Sequence, residues 1–461
     1  VPGQAGQNAV VAYANPRVIF PNPDADPTLA TSYNFAPTDA YIKSILGVGA
    51  KVLFRVGRSQ AAGSSPPADL KKYAVIVKHI VMHYNQGWAN GFVNKVKYWE
   101  VGNEPDLGSG NWGGTPQQYY DLYASVVNAI KTVDPTSHVG GPALTFAQNT
   151  NSSNNNAYEE QFIKWVAANR LPMDFFSYHC YPNDTLSFDP YDFTRLGTVV
   201  RSLLDQNGFT KAQVMLTEWN LSPVAATDTK YVQNIQCAAF VGSALTYMQD
   251  SAVDASFFYR GDTAYLGLFE KDGEYSDTAR AFAMMGAMLN TPNRVATTGG
   301  DTIGFSVLAG VSKDQNTIQI LISNYQRDVN FLKSTLDRTP LQASLNLATD
   351  PNSALNRKYF GGVSPSTIKN INDSHSGGIV VDIPSFTALT PQDYTYVNNS
   401  GYAITVDQLP WGKHKFTATR YRLNGSRKYV QIDQTEMKGG TYQAVAALPP
   451  PSLELIVLRR A

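Results

Sequence analysis

Two glutamates stand at the ends of apolar runs that read as β-strands. One lies in Tyr98-Trp99-Glu100-Val101-Gly102-Asn103-Glu104-Pro105-Asp106, the other in Met215-Leu216-Thr217-Glu218-Trp219-Asn220. In a parallel barrel, side chains at strand C-termini point into the mouth where chemistry occurs. Two carboxylates facing across a sugar-sized gap meet the needs of glycosidic-bond hydrolysis. One protonates the departing oxygen, and the other attacks or stabilises the oxocarbenium-like centre. The competing reading is a helix cap or an ion pair with Arg, because structural pairs also place carboxylates at strand ends. Asn-Glu-Pro on one strand together with Thr-Glu-Trp on another favours the chemical reading for Glu104 and Glu218.

The neighbours fit that chemistry. The Asn103 amide can reach a sugar 2-OH, a contact that strengthens at the transition state. A hydrogen bond from Tyr181 would hold Glu218 ionised. Arg55, His179, Tyr259 and Arg260 fall at other strand ends, where they can bind hydroxyls. The alternative for His179 is a satisfied core histidine. For Arg55 it is an ion pair inside the barrel with Glu100. Trp112 and Trp219 can stack on sugar rings, whereas mid-strand Trp99 reads as core. Cys180 and Cys237 read as inert buried thiols.

Two motifs are read as decoys. Gly108-Ser-Gly-Asn-Trp-Gly113 matches G-x-G-x-x-G, but it starts past the strand end, so its glycines serve a sharp loop beside the cleft. His79 and His83 share a helix face, but Ile80 stands where a zincin carries Glu. No Walker loop and no Gly-x-Ser-x-Gly elbow occurs. No metal and no cofactor is expected.

The elements that must position these residues alternate. Strand runs at Lys51–Val56, Val96–Val101, His138–Leu144, Asp174–Tyr181, Gln213–Trp219 and Ala255–Tyr259 are interleaved with helical patterns. The helices are expected over Thr38–Leu46, Asp69–Asn85, Thr115–Val133, Tyr158–Asn169, Asp189–Asn207, Lys230–Gln249 and Ser276–Leu289, with Thr38, Thr115, Asp189 and Ser276 as caps. Such repeats imply a parallel sheet with helices outside, a (β/α)8 TIM barrel. Two more strands must then come from residues 1–33, where Ala9–Tyr13 and Arg17–Phe20 look extended. From about Asn293 the helical period vanishes. Short strands at Ile303–Ala309, Thr317–Ser323, Ala403–Val406, Lys415–Arg422 and Leu453–Leu458 predict a β-sandwich. The expected division is a catalytic barrel over 1–292 and a β-sandwich over 293–461 with a polar insertion around 328–400.

On Trp99–Pro105, Phe176–Pro182, Leu216–Asn220 and Ser32–Asp39, the chain resembles a clan A retaining glycoside hydrolase and is most similar to glycoside hydrolase family 39. The likeness runs from about residue 20 to the end. It implies that Glu104, at the end of strand four, is the acid/base, and that Glu218, on strand seven, is the nucleophile of a double displacement. It implies β-xylosidase activity as the first substrate expectation. The alternatives are an α-L-arabinofuranosidase, an α-L-iduronidase, an endo-glycosidase, or a non-catalytic carbohydrate-binding protein. One position departs from the pattern: the family usually carries Trp where this chain has Gly102.

Composition narrows the partners. Among 461 residues, Lys+Arg and Asp+Glu are both 37, and charged residues are 16%. A zero net charge disfavours a general grip on nucleic acid or on an anionic membrane. The 26 tyrosines and many hydroxyl and amide side chains suit an oligosaccharide or polysaccharide. Two cysteines make no disulfide framework. No apolar run is long enough for a membrane span. Asn-X-Ser/Thr sequons at Asn151, Asn183, Asn220, Asn372, Asn398 and Asn424 are in keeping with a secreted or extracytoplasmic protein.

Overall fold

A computed structural model of the chain describes residues 9–13, 19–57, 65–108, 111–145, 158–182, 190–221, 233–263, 266–300, 302, 304–325, 381–382 and 401–461. Seven parallel strands form one sheet in chain order. They are β1 (Ala9–Tyr13), β2 (Lys51–Val56), β3 (Val96–Val101), β4 (His138–Leu144), β5 (Phe175–Cys180), β6 (Gln213–Trp219) and β7 (Ala255–Phe258). The helices are α1 (Ala36–Gly47), α2 (Leu70–Gln86), α3 (Pro116–Val133), α4 (Tyr158–Ala168), α5 (Asp192–Gln206), α6 (Ile235–Met248) and α7 (Asp277–Ala287). Each strand is followed by a helix, so the six strands expected from the βα pattern are present. Of the further pair, Ala9–Tyr13 is a strand and pairs with β2. Arg17 lies outside the described residues, and Ile19 and Phe20 belong to no strand. The sheet therefore has seven described strands, and β1 and β7 are not paired among the described residues.

Alternation explains how the strands serve two cores. Val52, Phe54 and Val56 face the helices within the large core, beside Trp99, Val101, Phe176 and Tyr178. Leu53, Phe175, Met215 and Phe257 make a separate cluster on the other face. The period of two then places Arg55 above Leu53, and Ser177 and His179 above Phe175.

Local chemistry sets the helix starts. Thr115 Oγ1 accepts from Gln118 N, and the Gln118 side chain returns a bond to Thr115 N, a complete capping box. Ser276 caps α7 on Ala279 N, and Asn234 caps α6. Two expected caps differ. Pro37 seats itself in the first turn of α1, so the helix begins before Thr38, which lies inside it. Helix α5 starts at Asp192 after Tyr191, and Asp189 is outside the described residues.

The C-terminal part is β-rich. Its strands are β8 (Asn293–Val295), β9 (Phe305–Val311), β10 (Thr317–Asn324), β11 (Val381–Asp382), β12 (Gly401–Val406), β13 (Lys415–Asn424), β14 (Arg427–Lys438), β15 (Tyr442–Ala447) and β16 (Ser452–Arg460). A six-stranded sheet runs β14-β13-β16-β10-β9-β8, and a three-stranded sheet runs β11-β12-β15. Ile320, Ile322, Phe416 and Ile456 of the first meet Tyr402, Ile404 and Val406 of the second in one core. Strand β14 is exposed along most of its length, so it shows no buried alternation for sequence reading to detect. Of the polar stretch 328–400, only Val381–Asp382 is described.

This β-rich part lies against α6. A Cβ on Gly242 would come within 2.5 Å of Leu453 Cδ2 and 2.9 Å of Ser323 Oγ, so a larger residue there would have to displace both side chains. Ser323 Oγ donates to Ala239 O at 2.8 Å, and Ser243 Oγ donates to Gly304 O at 2.6 Å. Lys428 on β14 pairs with Asp277 at the start of α7 at 2.7 Å.

Candidate active site

Glu104 sits in the turn that follows β3. Its φ is +48°, in the left-handed region, and its amide donates to Ala143 O at 2.8 Å. A non-glycine residue there costs about 1 kcal/mol or more, a strain met mainly at functional sites. The turn begins at Gly102, with φ +81°. A Cβ on Gly102 would fall 2.8 Å from the Tyr119 ring. Glycine at this position, the departure from the family pattern, is therefore a requirement of this turn and of Tyr119 on α3.

Glu218 owes its direction to an irregularity in β6. Trp219 lies on the helix face, packed on Phe193 and Phe258. Simple alternation would put Glu218 on the opposite face from Thr217. The β5–β6 register shifts, so that Leu216 pairs with Tyr178 while Glu218 pairs with His179. The extra residue turns Glu218 toward His179, as β-bulges beside active sites do.

The side chains of four strands and the turns that follow them then converge. His179 Nδ1 lies 2.8 Å from Glu104 Oε1 and 3.6 Å from Glu218 Oε2. Arg55 Nη1 donates to Glu218 Oε1 at 2.7 Å, and Tyr181 OH donates to Glu218 Oε2 at 3.1 Å. Arg55 also pairs through Nε with Glu100 and donates through Nη1 to Asn103 Oδ1. Arg55 is thus both the internal ion pair with Glu100 and a contact of Glu218. Arg55 Nη2 lies 3.2 Å from His179 Nε2. A guanidinium has only donors, so in the neutral ring Nε2 accepts from Arg55 and Nδ1 carries the hydrogen offered to Glu104. One ligand atom each of Glu104, His179 and Glu218 lie within 4.8 Å of one another.

The electrostatics separate roles. Burial raises the Glu218 carboxyl, but His179, Arg55 and the Tyr181 hydrogen bond outweigh it, so Glu218 is held below the ordinary carboxylate range. Burial, with Glu218 and Glu104 nearby, raises Tyr181 well above an ordinary phenol, so it remains a donor. For His179, burial lowers the pKa, and Glu218 and Glu104 more than reverse this and raise it. Burial pushes Asp106 up to about 6 against the opposing hydrogen bonds of Thr145. Asp106 Oδ1 accepts from Thr145 N at 3.0 Å, which ties the turn after Glu104 to the end of β4. The Glu104, His179 and Glu218 donors could also surround a cation, yet the fixed positive charge of Arg55 stands against two of them.

The remaining predicted residues divide. Tyr259 is half-buried and near enough to Tyr181 to act on it electrostatically. Arg260 turns to Asp262, with Nε donating to Oδ2 at 2.7 Å, and the structure does not bring it to the carboxylates. Trp219 is fully buried among aromatic rings and cannot stack on a sugar. Trp112 is buried edge-on to Tyr119, with Nε1 donating to Thr115 O at 3.0 Å. Both tryptophans follow the helix-facing packing instead of the cleft. Trp99 is core, as expected. His83 is engaged by Asp39 and Trp88 O, and His79 by Val75 O, so that pair is accounted for without a metal. The Asn220 sequon is closed off, because its buried side chain donates to Tyr259 O. Asn151, Asn183, Asn372 and Asn398 lie outside the described residues. Sequence reading missed Asn111, whose Nδ2 donates to Glu104 Oε2 at 2.6 Å. Its only sequence signal was its place in the glycine loop beside the Asn-Glu-Pro turn.

The chain is similar to several known glycosidases. A beta-xylosidase from Geobacillus stearothermophilus is 26% identical over 232 residues, 44% of this chain and 44% of its own. The chain thus spans less than half the length of that curated relative. The crystal structure of a glucosidase from Croceicoccus marinus matches with a TM-score of 0.74 and 32% identity, covering 98% of this chain and 88% of the other. A monomeric beta-xylosidase from Caulobacter crescentus CB15 matches in fold at 16% identity, with a TM-score of 0.58 over 93% of this chain and 85% of its own. No helix among the described residues is long and apolar enough to cross a membrane. The model of the glycosyl hydrolases family 39 matches residues 22–269, more than half of the chain and both carboxylate strands, so the chain belongs to that family.

Proposed function

We propose that this protein is a retaining glycoside hydrolase acting on an oligosaccharide or polysaccharide outside the cytoplasm, from a closed (β/α)8 barrel. The observation that carries the reading is the convergence of Glu104 and Glu218 on His179, with one ligand atom of each within 4.8 Å of the others. A retaining enzyme needs carboxyls about 5–5.5 Å apart, whereas an inverting one leaves roughly 6.5–9.5 Å for a water. Glu218, held ionised by Arg55 and Tyr181, attacks the anomeric carbon as the Glu104 proton passes to the leaving oxygen. The C–O bond breaks and a glycosyl–Glu218 ester forms. Glu104, now ionised, takes a proton from water, whose oxygen attacks the same carbon and releases Glu218. Asn103, Tyr259 and Tyr181 are the side chains assigned to sugar hydroxyls.

A β-xyloside is the first substrate, in line with the family and its beta-xylosidase relatives. A glucoside is the second reading, favoured by the 32% identity to the Croceicoccus glucosidase. Aryl β-xylosides, β-glucosides and α-L-arabinofuranosides, followed by proton NMR before mutarotation, test both sugar and mechanism. The first-formed sugar should keep the substrate's anomer. The opposite anomer would overturn the nucleophile assignment, and no turnover of any glycoside would favour a sugar-binding role. With azide, Glu104→Ala should yield the retained glycosyl azide and Glu218→Ala the inverted one. Swapped products would exchange the two roles.

A further inference from the structure

Asn111 follows the Asn-Glu-Pro turn, within the sequence Gly108-Ser-Gly-Asn-Trp-Gly113. Its side chain is 1% exposed. Asn111 N and Trp112 N both donate to Gly108 O, at 3.0 and 2.8 Å. Trp112 anchors this segment by burial against Tyr119 and by its bond to Thr115 O. From this anchored position the Asn111 amide reaches Glu104 Oε2 at 2.6 Å, the shortest of the contacts on that carboxyl. Asn103 Nδ2 is 3.4 Å from the same oxygen, and His179 Nδ1 holds the other. Glu104 is thus gripped on both oxygens from three different segments.

We infer that Asn111 is a positioning residue for the acid/base, an inference that rests on reading Glu104 in that role. A carboxyl held at one oxygen can turn about its last side-chain bond. A carboxyl held at both cannot. The Nδ2 hydrogen bond fixes the plane in which Glu104 presents its proton to the leaving oxygen. The same donor supports the ionised glutamate that deprotonates water in the second step. Its removal therefore weighs on steps that need proton transfer and spares leaving groups that depart unaided.

The test is kcat/KM for aryl glycosides graded from activated to poor leaving groups, on the full chain. Asn111→Ala removes the amide. Asn111→Asp keeps its volume and loses the donor. Both should lose about tenfold to a hundredfold on the poorest leaving group and less than about threefold on the most activated one, the penalty expected of a misplaced catalytic group. A steeper leaving-group dependence in both supports the inference. An equal loss across the series, or wild-type behaviour of Asn111→Asp, assigns the residue to loop packing and overturns it. Failure of both variants to fold, judged by circular dichroism, overturns it likewise. Glu104→Ala on the same series separates the two claims. If Glu104→Ala shows no leaving-group dependence, the acid/base reading fails. If it does and the Asn111 variants do not, only the positioning role fails.

Discussion

Arg55 and Glu218 are carried by strands that do not pair with each other, yet Nη1 and Oε1 meet at 2.7 Å inside the sheet. The guanidinium also holds Glu100, which is fully buried, so one cation answers two carboxylates. Removing it leaves both without their counter-charge. Arg55→Met should lower stability by about 3–5 kcal/mol in urea unfolding, the range for breaking a buried pair from one side. Adding Glu100→Gln to that variant should recover part of the loss. Additive losses would show that Glu100 does not depend on Arg55.

Glu218 is held ionised to lower pH than an ordinary carboxylate. The acid limb of kcat/KM should therefore lie below about 4.5, the ordinary glutamate value, because activity persists until Glu218 protonates. Tyr181→Phe removes the 3.1 Å donor from the charged form. It should move that limb to higher pH and cut kcat/KM by about tenfold to a hundredfold, the worth of a hydrogen bond to a charged group. The linked stability has the same sign. It is present above the unfolded carboxylate value and lost as pH falls through the lowered one. A limb unmoved in Tyr181→Phe would count against the phenol as the group that holds Glu218.

Asp106 carries the opposite shift, up to about 6 through burial. Its native form binds a proton more readily than the unfolded chain, so its contribution is full below about 4 and is lost as pH rises through about 6. Asp106→Asn keeps an acceptor for Thr145 and removes the buried charge. The stability of the variant relative to the parent should rise by roughly 1–3 kcal/mol between pH 4 and pH 7. Denaturant titrations at the two pH values read this directly. A constant difference would mean that Asp106 does not titrate in that interval.

Gly102 lies under the turn that presents Glu104. Its φ is +81°, and an alanine methyl there would sit 2.8 Å from the Tyr119 ring, so Gly102→Ala should cost about 1–3 kcal/mol. Because Asn103 and Glu104 follow directly, kcat should fall as well. Tyr119→Leu in the same chain should relieve the steric part and leave the backbone part. Full tolerance of alanine at 102 would remove the account of why the family tryptophan is absent here.

Residue order within single segments made much of this protein legible. The six βα strands emerged from short apolar runs, and the capping of α3 and α7 from Thr115 and Ser276, because strand period and capping are local properties. Both carboxylates emerged too, since the end of a parallel strand already specifies a face of the molecule. Strand β14 escaped because both its faces meet water, and of the run Arg17–Phe20 the described Ile19 and Phe20 join no strand, since a short apolar run need not pair. Most of what tunes the carboxylates is non-local, the adjacent Asn103 amide on Glu104 apart. Arg55 meets Glu218 across 163 positions, and His179 meets Glu104 across 75. The shifted register that turns Glu218 inward and sends Trp219 into the core is a relation between β5 and β6, not a feature of either run. The Asn111 amide reaches Glu104 only because the loop folds back over the turn. Sequence alone determined that two glutamates stand at the ends of parallel strands, where such chemistry can be done. Tertiary structure decided which side chains touch, because charges and hydrogen bonds act over a few ångströms of space and take no account of distance along the chain.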